Sequence, residues 1–205
     1  MSYLQLYGGI MMGGVALNAA AQPYLVSAGG YFVNPSNVPG STTRLTFRGK
    51  FYLPSIPASA YALFAQESTG CDLDVVSTGK LRVTVEDSAG TKVVNVVTLT
   101  SGPTLAVDTW YDIVFDVNHS TQVARVTVDG VNYDTSFGTA GTGSFQSNRE
   151  VSFLAQSVGG IACPSGTRAY DLSVDYNGTT HKTISNDAAT ANADSWQQGS
   201  DFTQG

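Results

Sequence analysis

The first candidates for chemistry in this sequence are carboxylates at alternate positions of short β-like segments. Asp72 and Asp74 share one face of a predicted strand, and Asp171 and Asp175 share one face of another, because every second side chain of a strand points the same way. Carboxylates are the oxygen ligands that calcium prefers, although a site needs roughly six to eight oxygens. Aspartates on an exposed sheet face also serve only to keep the sheet in solution, and we favour this simpler interpretation.

Acid–base catalysis is the second possibility. Hydrolysis of a glycosidic bond needs two carboxyl groups roughly 5 to 10 Å apart. The three glutamates, Glu67, Glu86 and Glu150, lie on three separate segments, so the sequence offers no obvious pair. His119 and His181 have no Ser or Cys companion in a catalytic motif, and we expect both to be solvated. We therefore predict that the protein is not an enzyme.

Exposed aromatic side chains would support binding instead, because the apolar face of a Trp or Tyr ring stacks on sugar rings. Tyr52, Tyr133 and Trp196 have polar neighbours in the sequence and are our candidates for glycan binding. Scattered tyrosines are also ordinary on the surface of a β-sandwich, so both interpretations stay open.

Composition and charge argue against several other partners. The 205 residues carry a net charge of −6, and Lys and Arg form no cluster, so a nucleic-acid groove is not expected. The apolar run at 10–17 is too short and too rich in glycine to span a bilayer, and the start MSYLQLYGG lacks the pattern of a secretion signal. We expect neither nucleic acid nor membrane as a partner. Cys71 and Cys163 either form one disulfide or stay as buried thiols.

The elements that must position these residues are short strands. Apolar and polar side chains alternate in residues 45–53, 81–85, 111–117 and 123–128, which is the period of a half-buried strand. Residues 102–135 predict a three-strand antiparallel meander, whose last turn contains the hairpin dipeptide Asp129-Gly130. A helical composition occurs only in residues 186–193. Many short strands joined by glycine-bearing turns predict an all-β protein, an antiparallel jelly-roll β-sandwich.

Four stretches together resemble a known family. Residues 105–130, LAVDTWYDIVFDVNHSTQVARVTVDG, are similar to the central signature of laminin G-like, concanavalin A-like domains, in which a Trp-Tyr pair opens a strand and the next strand ends in a VDG turn. Two further stretches precede this signature, GGYFV at 29–33 and the strand at 45–53, and TRAYDLSVDYNG at 167–178 comes after it. This order is that of the family. The resemblance covers about residues 30–184 and implies a jelly roll of two antiparallel sheets.

The resemblance also has implications for individual residues. Family members usually bury the Trp that opens the central strand, which implies a core position for Trp110. They often hold one calcium ion at the rim of a sheet, to which Asp72, Asp74 or Asp171 would contribute as a candidate ligand. The family contains lectins, glycan hydrolases, adhesion modules and viral structural proteins, so the fold alone does not fix the function.

The chain divides into three predicted parts. Residues 1–40 form an apolar N-terminal arm without a charged side chain, residues 41–185 form the laminin G-like domain, and residues 186–205 form a polar C-terminal tail. A dozen large apolar side chains are costly to leave in water, so we expect the arm to pack on its own sandwich or on a partner. The candidate partner-binding residues are Tyr3, Leu4, Leu6, Tyr7, Ile10, Met11 and Met12.

We therefore predict a non-enzymatic structural or adhesion module. The family resemblance and the uncharged arm favour a virion protein of a tailed bacteriophage, either a capsid decoration protein or a tail-associated one. Its partners would be other virion proteins or copies of itself, with host-surface glycans as a further possibility. The alternative is a carbohydrate-binding lectin module of a bacterial surface protein, located outside the cell.

Overall fold

The computed structural model describes residues 23–34, 38–66, 70–147, 149–155, 163–199 and 201–205. The predicted partner-binding residues, Tyr3 to Met12, lie outside this part of the chain, as does Glu67. Among the described residues, no helix has the length and apolar character needed to cross a membrane.

Fifteen strands and one short helix make up the described residues. The strands are β1 Leu25–Ser27, β2 Tyr31–Val33, β3 Arg44–Tyr52, β4 Tyr61–Gln66, β5 Cys71–Val75, β6 Leu81–Glu86, β7 Lys92–Thr98, β8 Trp110–Asn118, β9 Val123–Val128, β10 Val131–Ser136, β11 Val151–Phe153, β12 Arg168–Tyr176, β13 Thr179–Thr183, β14 Gln197–Gln198 and β15 Phe202–Gln204. The helix, α1, is Ala188–Asn192, and the Asp187 side chain caps it by accepting a hydrogen bond from the Thr190 amide.

The strands form a sandwich of two antiparallel sheets. In sheet I the strand order is β10-β9-β8-β3-β12-β1-β15, with β13 paired to β12, and in sheet II it is β14-β2-β11-β4-β5-β6-β7. The predicted jelly-roll sandwich is therefore confirmed, including the meander of β8, β9 and β10 in sheet I. The strand pairings in both sheets are antiparallel, both for neighbours in sequence such as β9 and β10 and for distant strands such as β3 and β8.

Apolar side chains from both sheets fill the space between them. Four phenylalanines meet at its centre: the Phe47 ring lies 5.4 Å from that of Phe64 and 5.8 Å from that of Phe153, with Phe115 on the next strand. These rings are fully buried. The alternation that was visible in the sequence thus directs one face of β3 and β8 into the core and leaves the other face of sheet I outside.

Both ends of the chain contribute strands to the sandwich. Within the predicted arm, β1 pairs with β12 in sheet I and β2 pairs with β11 in sheet II. In the predicted tail, β14 pairs with β2 and β15 pairs with β1, and Trp196 and Phe202 are buried. Residues 186–205 are therefore an integral part of both sheets, because their two large aromatic side chains complete the core.

Candidate functional site

A cluster of aromatic side chains occupies one end of the outer face of sheet I. Arg168, Tyr52 and Trp110 are direct cross-strand neighbours on β12, β3 and β8. Tyr24, immediately before β1, and Tyr170, on β12, lie beside this row. We call Tyr24, Tyr52, Trp110 and Tyr170 the aromatic cluster. All four rings are half-buried, so each keeps part of its surface in contact with solvent.

Trp110 is at the centre of the aromatic cluster. Its ring centroid lies 5.4 Å from that of Tyr24, 5.6 Å from that of Tyr52 and 5.0 Å from that of Tyr170. The Tyr24 and Tyr170 rings meet it edge to face, an arrangement that the quadrupoles of aromatic rings favour. The four rings thus hold one another in a fixed orientation. The prediction that Trp110 belongs to the core is wrong: the ring is on the outer face, because it shares the alternation of Asp112, Val114 and Asp116.

Polar groups anchor the edge of the aromatic cluster. The Tyr52 hydroxyl donates a 2.6 Å hydrogen bond to Asp108, and this bond raises the pKa of Tyr52. The Arg168 guanidinium lies over the Tyr52 ring, 4.2 Å from its centroid, and over the Tyr24 ring, 5.4 Å from its centroid. These are cation–π contacts. The Tyr52 hydroxyl proton is therefore occupied by Asp108, and the guanidinium of Arg168 supplies the N–H donors at this edge.

A bulge in β12 determines which side chains face outward. The register between β12 and β3 shifts between Tyr170 and Ser173, and Asp171 adopts a positive φ of 54°, which aspartate tolerates better than most residues. Asn186 holds the bulge: its side chain accepts a 2.8 Å hydrogen bond from the Asp171 amide and donates a 2.9 Å bond to the Asp171 carboxylate. Before the bulge Tyr170 faces outward, and after it Leu172 is fully buried.

The aromatic cluster continues into a polar groove. This central groove, of about 280 Å³, is lined by Arg48, Gly49, Lys50, Asp112, Val114 and Asp171. Lys50 joins the two regions, because its ammonium lies 5.0 Å from the centroid of the Tyr170 ring and 3.4 Å from the Asp171 carboxylate. A second groove, of about 330 Å³, lies farther along the same face between Arg44 and Arg125. Rings at one end and hydrogen-bonding groups beside them form an elongated amphipathic surface.

Only one of the three predicted glycan-binding residues belongs to this surface. Tyr52 is part of the aromatic cluster. Tyr133 is on β10 and packs against the core. Trp196 is 5% exposed and contacts His181 and Lys182, so the expectation that it is exposed is wrong. Trp196 directly precedes β14, the edge strand of sheet II. Burying its large apolar ring in the core is more favourable than leaving it in water.

The three candidate calcium ligands do not form one site. Asp72 and Asp74 are on β5 of sheet II, and Asp171 is on β12 of sheet I. The predicted exposure of Asp72 and Asp74 is also wrong, since they are 1% and 3% exposed. Asp74 accepts a 2.9 Å hydrogen bond from the Nε of Arg82, while Asp171 is bound to Asn186 and Lys50. Across the described residues, no three His, Cys, Asp or Glu side chains lie close enough to hold a metal ion.

The remaining titratable candidates lie away from the aromatic cluster. His119 is 3% exposed, which contradicts the expectation that it is solvated; it packs edge to face on Phe137 and Phe145. His181 is exposed and stacks on Tyr176. Burial raises the pKa of both cysteines, and Cys71 and Cys163 are free thiols that do not form a disulfide.

Three members of the aromatic cluster were missed by the sequence reasoning, namely Tyr24, Trp110 and Tyr170, and so was Arg168. Trp110 had a usable signal, because strict alternation places it on the same face as Asp112. Tyr170 had none: alternation from Leu172 places it in the core, and only the bulge reverses its direction, as a one-residue shift always does. Tyr24 joins the cluster through long-range pairing of β1.

A family model described as the concanavalin A-like lectin/glucanases superfamily matches residues 27–165. No curated protein matches the chain. Solved structures share the fold at low sequence identity. One is the mouse laminin alpha1 chain, domains LG4-5, with a TM-score of 0.52, 16% identity and 80% of this chain covered.

Two further structures have the same fold. The botulinum neurotoxin serotype D ligand-binding domain in complex with N-acetylneuraminic acid has a TM-score of 0.52 at 11% identity over 80% of this chain. The enzymatically active domain of tailspike protein 2 of bacteriophage CBA120 has a TM-score of 0.54 at 16% identity over 78% of this chain. The aligned region spans 45% of the laminin chain, 40% of the neurotoxin chain and 25% of the tailspike chain.

Proposed function

The chain belongs to the concanavalin A-like lectin/glucanases superfamily, and on this basis we propose that it is a non-enzymatic glycan-binding module used for adhesion. The glycan site that we propose consists of the aromatic cluster and the central groove on the outer face of sheet I. This function combines the adhesion role and the lectin role that the sequence left as alternatives.

The observation that supports the proposal is the position of the four half-buried rings beside a polar groove. Sugars have apolar C–H faces and polar hydroxyl edges, so a sugar site needs aromatic faces next to fixed hydrogen-bonding groups. Trp110 and Tyr170 provide the rings. Lys50 and Asp112 line the groove next to them and supply a donor and an acceptor for hydroxyl groups.

Packing alone is the competing explanation for the aromatic cluster. Rings that contribute only packing gain most in the core, where their whole surface is removed from water. The core of this sandwich has its own set of fully buried phenylalanines, and none of the four cluster residues is among the buried ones. A cluster of half-buried rings on an open sheet face is more typical of a binding surface.

We propose that the site binds glycans without cleaving them. Of the three glutamates, Glu86 is buried beside Gln146 on sheet II, away from the central groove. The groove itself contains Asp112 and Asp171. Both oxygens of Asp171 accept hydrogen bonds, from Asn186 and Lys50, so this carboxylate holds the bulge in place rather than transferring a proton.

The biological setting that we propose is the surface of a tailed bacteriophage, with a bacterial surface protein as the alternative. The apolar, uncharged sequence of the first 22 residues supports attachment to a larger assembly, because such residues are costly to leave in water. The likeness to a bacteriophage tailspike domain is a likeness of fold. Co-purification with intact virus particles at a fixed stoichiometry, lost on deletion of residues 1–20, would support this setting.

The binding test uses a glycan array and then calorimetry with the best neutral or charged oligosaccharide found. Trp110→Ala and Tyr170→Ala should each weaken binding by about tenfold or more, since a stacked aromatic ring contributes roughly 0.5–1.5 kcal/mol in addition to the apolar area that it buries. Tyr133→Ala is the matched control: it removes a half-buried tyrosine of the same sheet outside the aromatic cluster, and glycan affinity should not change.

Two results would contradict the proposed function. One is an array on which no glycan is bound by folded protein. The other is release of reducing sugar from a bound oligosaccharide, which would make the protein a hydrolase. Circular dichroism of each variant shows whether a lost signal reflects the site or the fold.

A further inference from the structure

We propose that Arg168 makes the glycan site selective for sugars that carry a carboxylate group. This inference rests on the function proposed above and adds the chemical class of the ligand. It depends on the one cation of sheet I that has no carboxylate partner among the described residues.

The cations of sheet I are almost all paired. Four cations on β3 and β9, and a fifth on β13, each form an ion pair with an aspartate: Arg44 with Asp116, Arg48 with Asp175, Lys50 with Asp171, Arg125 with Asp134 and Lys182 with Asp194. Arg168 is the exception within the described part of this sheet. Its contacts are the rings of Tyr24 and Tyr52 and a 3.4 Å hydrogen bond to the Tyr24 hydroxyl.

The two tyrosines fix the orientation of the Arg168 guanidinium. A planar guanidinium over aromatic rings retains N–H groups along its edge, and these donors match the two oxygens of a carboxylate. The side chain is half-buried, so its position is restrained before a ligand arrives. A restrained donor loses less conformational entropy on binding than a free surface arginine does.

The same position is adjacent to the surface on which a sugar ring would stack. Arg168 is the direct cross-strand neighbour of Tyr52, which is the direct cross-strand neighbour of Trp110. A pyranose stacked on the aromatic cluster therefore places its substituents within reach of the guanidinium. Asp108 lies beside this row of residues, and it is occupied as the acceptor of the Tyr52 hydroxyl.

Carboxylated sugars occur in two common forms, sialic acids and uronic acids, and both supply the chemistry that Arg168 would recognise. Four probes distinguish these sources and isolate the charge. Trigalacturonic acid is compared with its methyl ester, which differs only in the neutralised carboxyl groups. Sialyllactose is compared with lactose, which lacks the acidic sugar. Each affinity is measured by calorimetry with the full-length chain.

We expect the acidic member of at least one pair to bind about tenfold or more tightly than its neutral counterpart, because hydrogen bonds to charged groups are the stronger ones. Arg168→Gln should abolish this preference, so that the acidic and neutral members of each pair bind with similar affinity, and Arg168→Lys should retain part of it. The control is Arg125→Gln, which removes an exposed, ion-paired arginine of the same sheet and should leave the preference intact.

The outcomes separate this inference from the proposed function. Equal affinities within both pairs, or a preference that survives Arg168→Gln, would overturn the selectivity while the glycan-binding function stands. Failure to bind any of the four probes, when other neutral glycans on the array are bound, would also overturn it. A protein that binds no glycan at all would refute both.

Discussion

The rings of Trp110 and Tyr170 lie 5.0 Å apart at an angle of 72° on the outer face of sheet I, although the family resemblance implied a core position for Trp110 and alternation from Leu172 places Tyr170 in the core. The two residues are on β8 and β12, with β3 between them. Their meeting depends on the bulge at Asp171, which turns Tyr170 outward while Leu172 remains in the core. The position of Tyr170 in the candidate glycan site is therefore a consequence of one irregularity in one strand.

The first prediction concerns the side chain that holds this bulge. Asn186→Ala removes the two hydrogen bonds to Asp171, which has a positive φ, and should lower the free energy of unfolding by about 1–3 kcal/mol. Glycan affinity should fall with it, because the Tyr170 ring is no longer held in place. Asn132→Ala is the control: Asn132 accepts one exposed hydrogen bond from Thr127, so its loss should leave both stability and affinity nearly unchanged in urea titrations and calorimetry.

The bulge also shows why the fold was predictable and the site was not. The strands β3, β6, β8 and β9 are six or more residues long, and period-two alternation identified them without help from the rest of the chain. The strands β1, β2, β14 and β15 have two or three residues each, too few to show a period. Their existence depends on pairing between residues far apart in sequence, as in Leu25 with Ala169 and Gln204.

The same contrast between local alternation and long-range packing applies to individual side chains. The outward direction of Tyr52 followed from alternation with its core neighbours, and this candidate belongs to the aromatic cluster. For Trp110 the family resemblance implied a core position, whereas the local alternation places the ring on the outer face. The structure agrees with the alternation. For Asp72 and Asp74 alternation correctly separated them from Cys71 and Leu73, but it predicted exposure. The outer face of β5 is covered, and a sequence pattern reports which face a residue is on rather than what covers that face.

The second prediction concerns the buried ion pair between Asp74 and Arg82. The Asp74 side chain is 4% exposed and that of Arg82 is 30% exposed, and burial raises the pKa of Asp74 despite the arginine. Arg82→Met would leave a buried carboxylate unpaired and should destabilise the protein by about 3 kcal/mol near neutral pH. The loss should shrink as the pH falls, because the unpaired carboxyl then takes up a proton and no longer needs a partner.

Chemical denaturation of the wild type and of Arg82→Met, near neutral pH and at mildly acidic pH, measures this loss of stability. Arg125→Met provides the comparison, since the Arg125–Asp134 pair is 45% and 44% exposed and should contribute less than about 1 kcal/mol. Equal losses for the two variants, or a loss for Arg82→Met that does not change with pH, would show that burial of Asp74 is not the cause.

The third prediction concerns pH and His119. Burial lowers the pKa of His119 to about 4, and neither ring nitrogen has a hydrogen-bond partner among the described residues. The folded state therefore keeps this ring neutral while the unfolded state takes up a proton below its ordinary pKa of about 6.5. The contribution of neutral His119 to stability is fully present above the unfolded-state pKa. It is lost, at about 1.4 kcal/mol per pH unit, as the pH falls toward the folded-state pKa.

His119→Phe should remove this part of the acid sensitivity, because a phenyl ring packs on Phe137 and Phe145 without titrating. Unfolding free energies measured from neutral pH down to about 4.5 should fall less steeply in this variant than in the wild type. His181→Gln, which replaces the exposed histidine, should leave most of the slope in place. If the slopes of the wild type and His119→Phe coincide, His119 does not govern the acid response.

The fourth prediction concerns calcium. Since Asp72 and Asp74 are on one sheet and Asp171 is on the other, we expect these residues to bind no calcium ion together. A ligand that binds only the folded state raises the melting temperature, so melting curves recorded with calcium and with a chelator should superimpose. A higher melting temperature in calcium that is lost in Asp171→Asn would contradict this expectation.

The fifth prediction tests how tightly the core side of β3 is packed beneath the central groove. Gly49 faces the core opposite Ile113, and a Cβ atom there would lie 2.6 Å from Cδ2 of Leu172 and 2.7 Å from Cζ of Phe51. Gly49→Ala should therefore destabilise the protein by about 1–3 kcal/mol, the usual cost of overpacking a core. Gly138→Ala is the control, because a Cβ at Gly138 has only the Val93 carbonyl oxygen nearby, at 3.8 Å. We expect this control to change stability by less than about 0.5 kcal/mol, and a Gly49→Ala variant as stable as the control would show that Leu172 and Phe51 shift without cost.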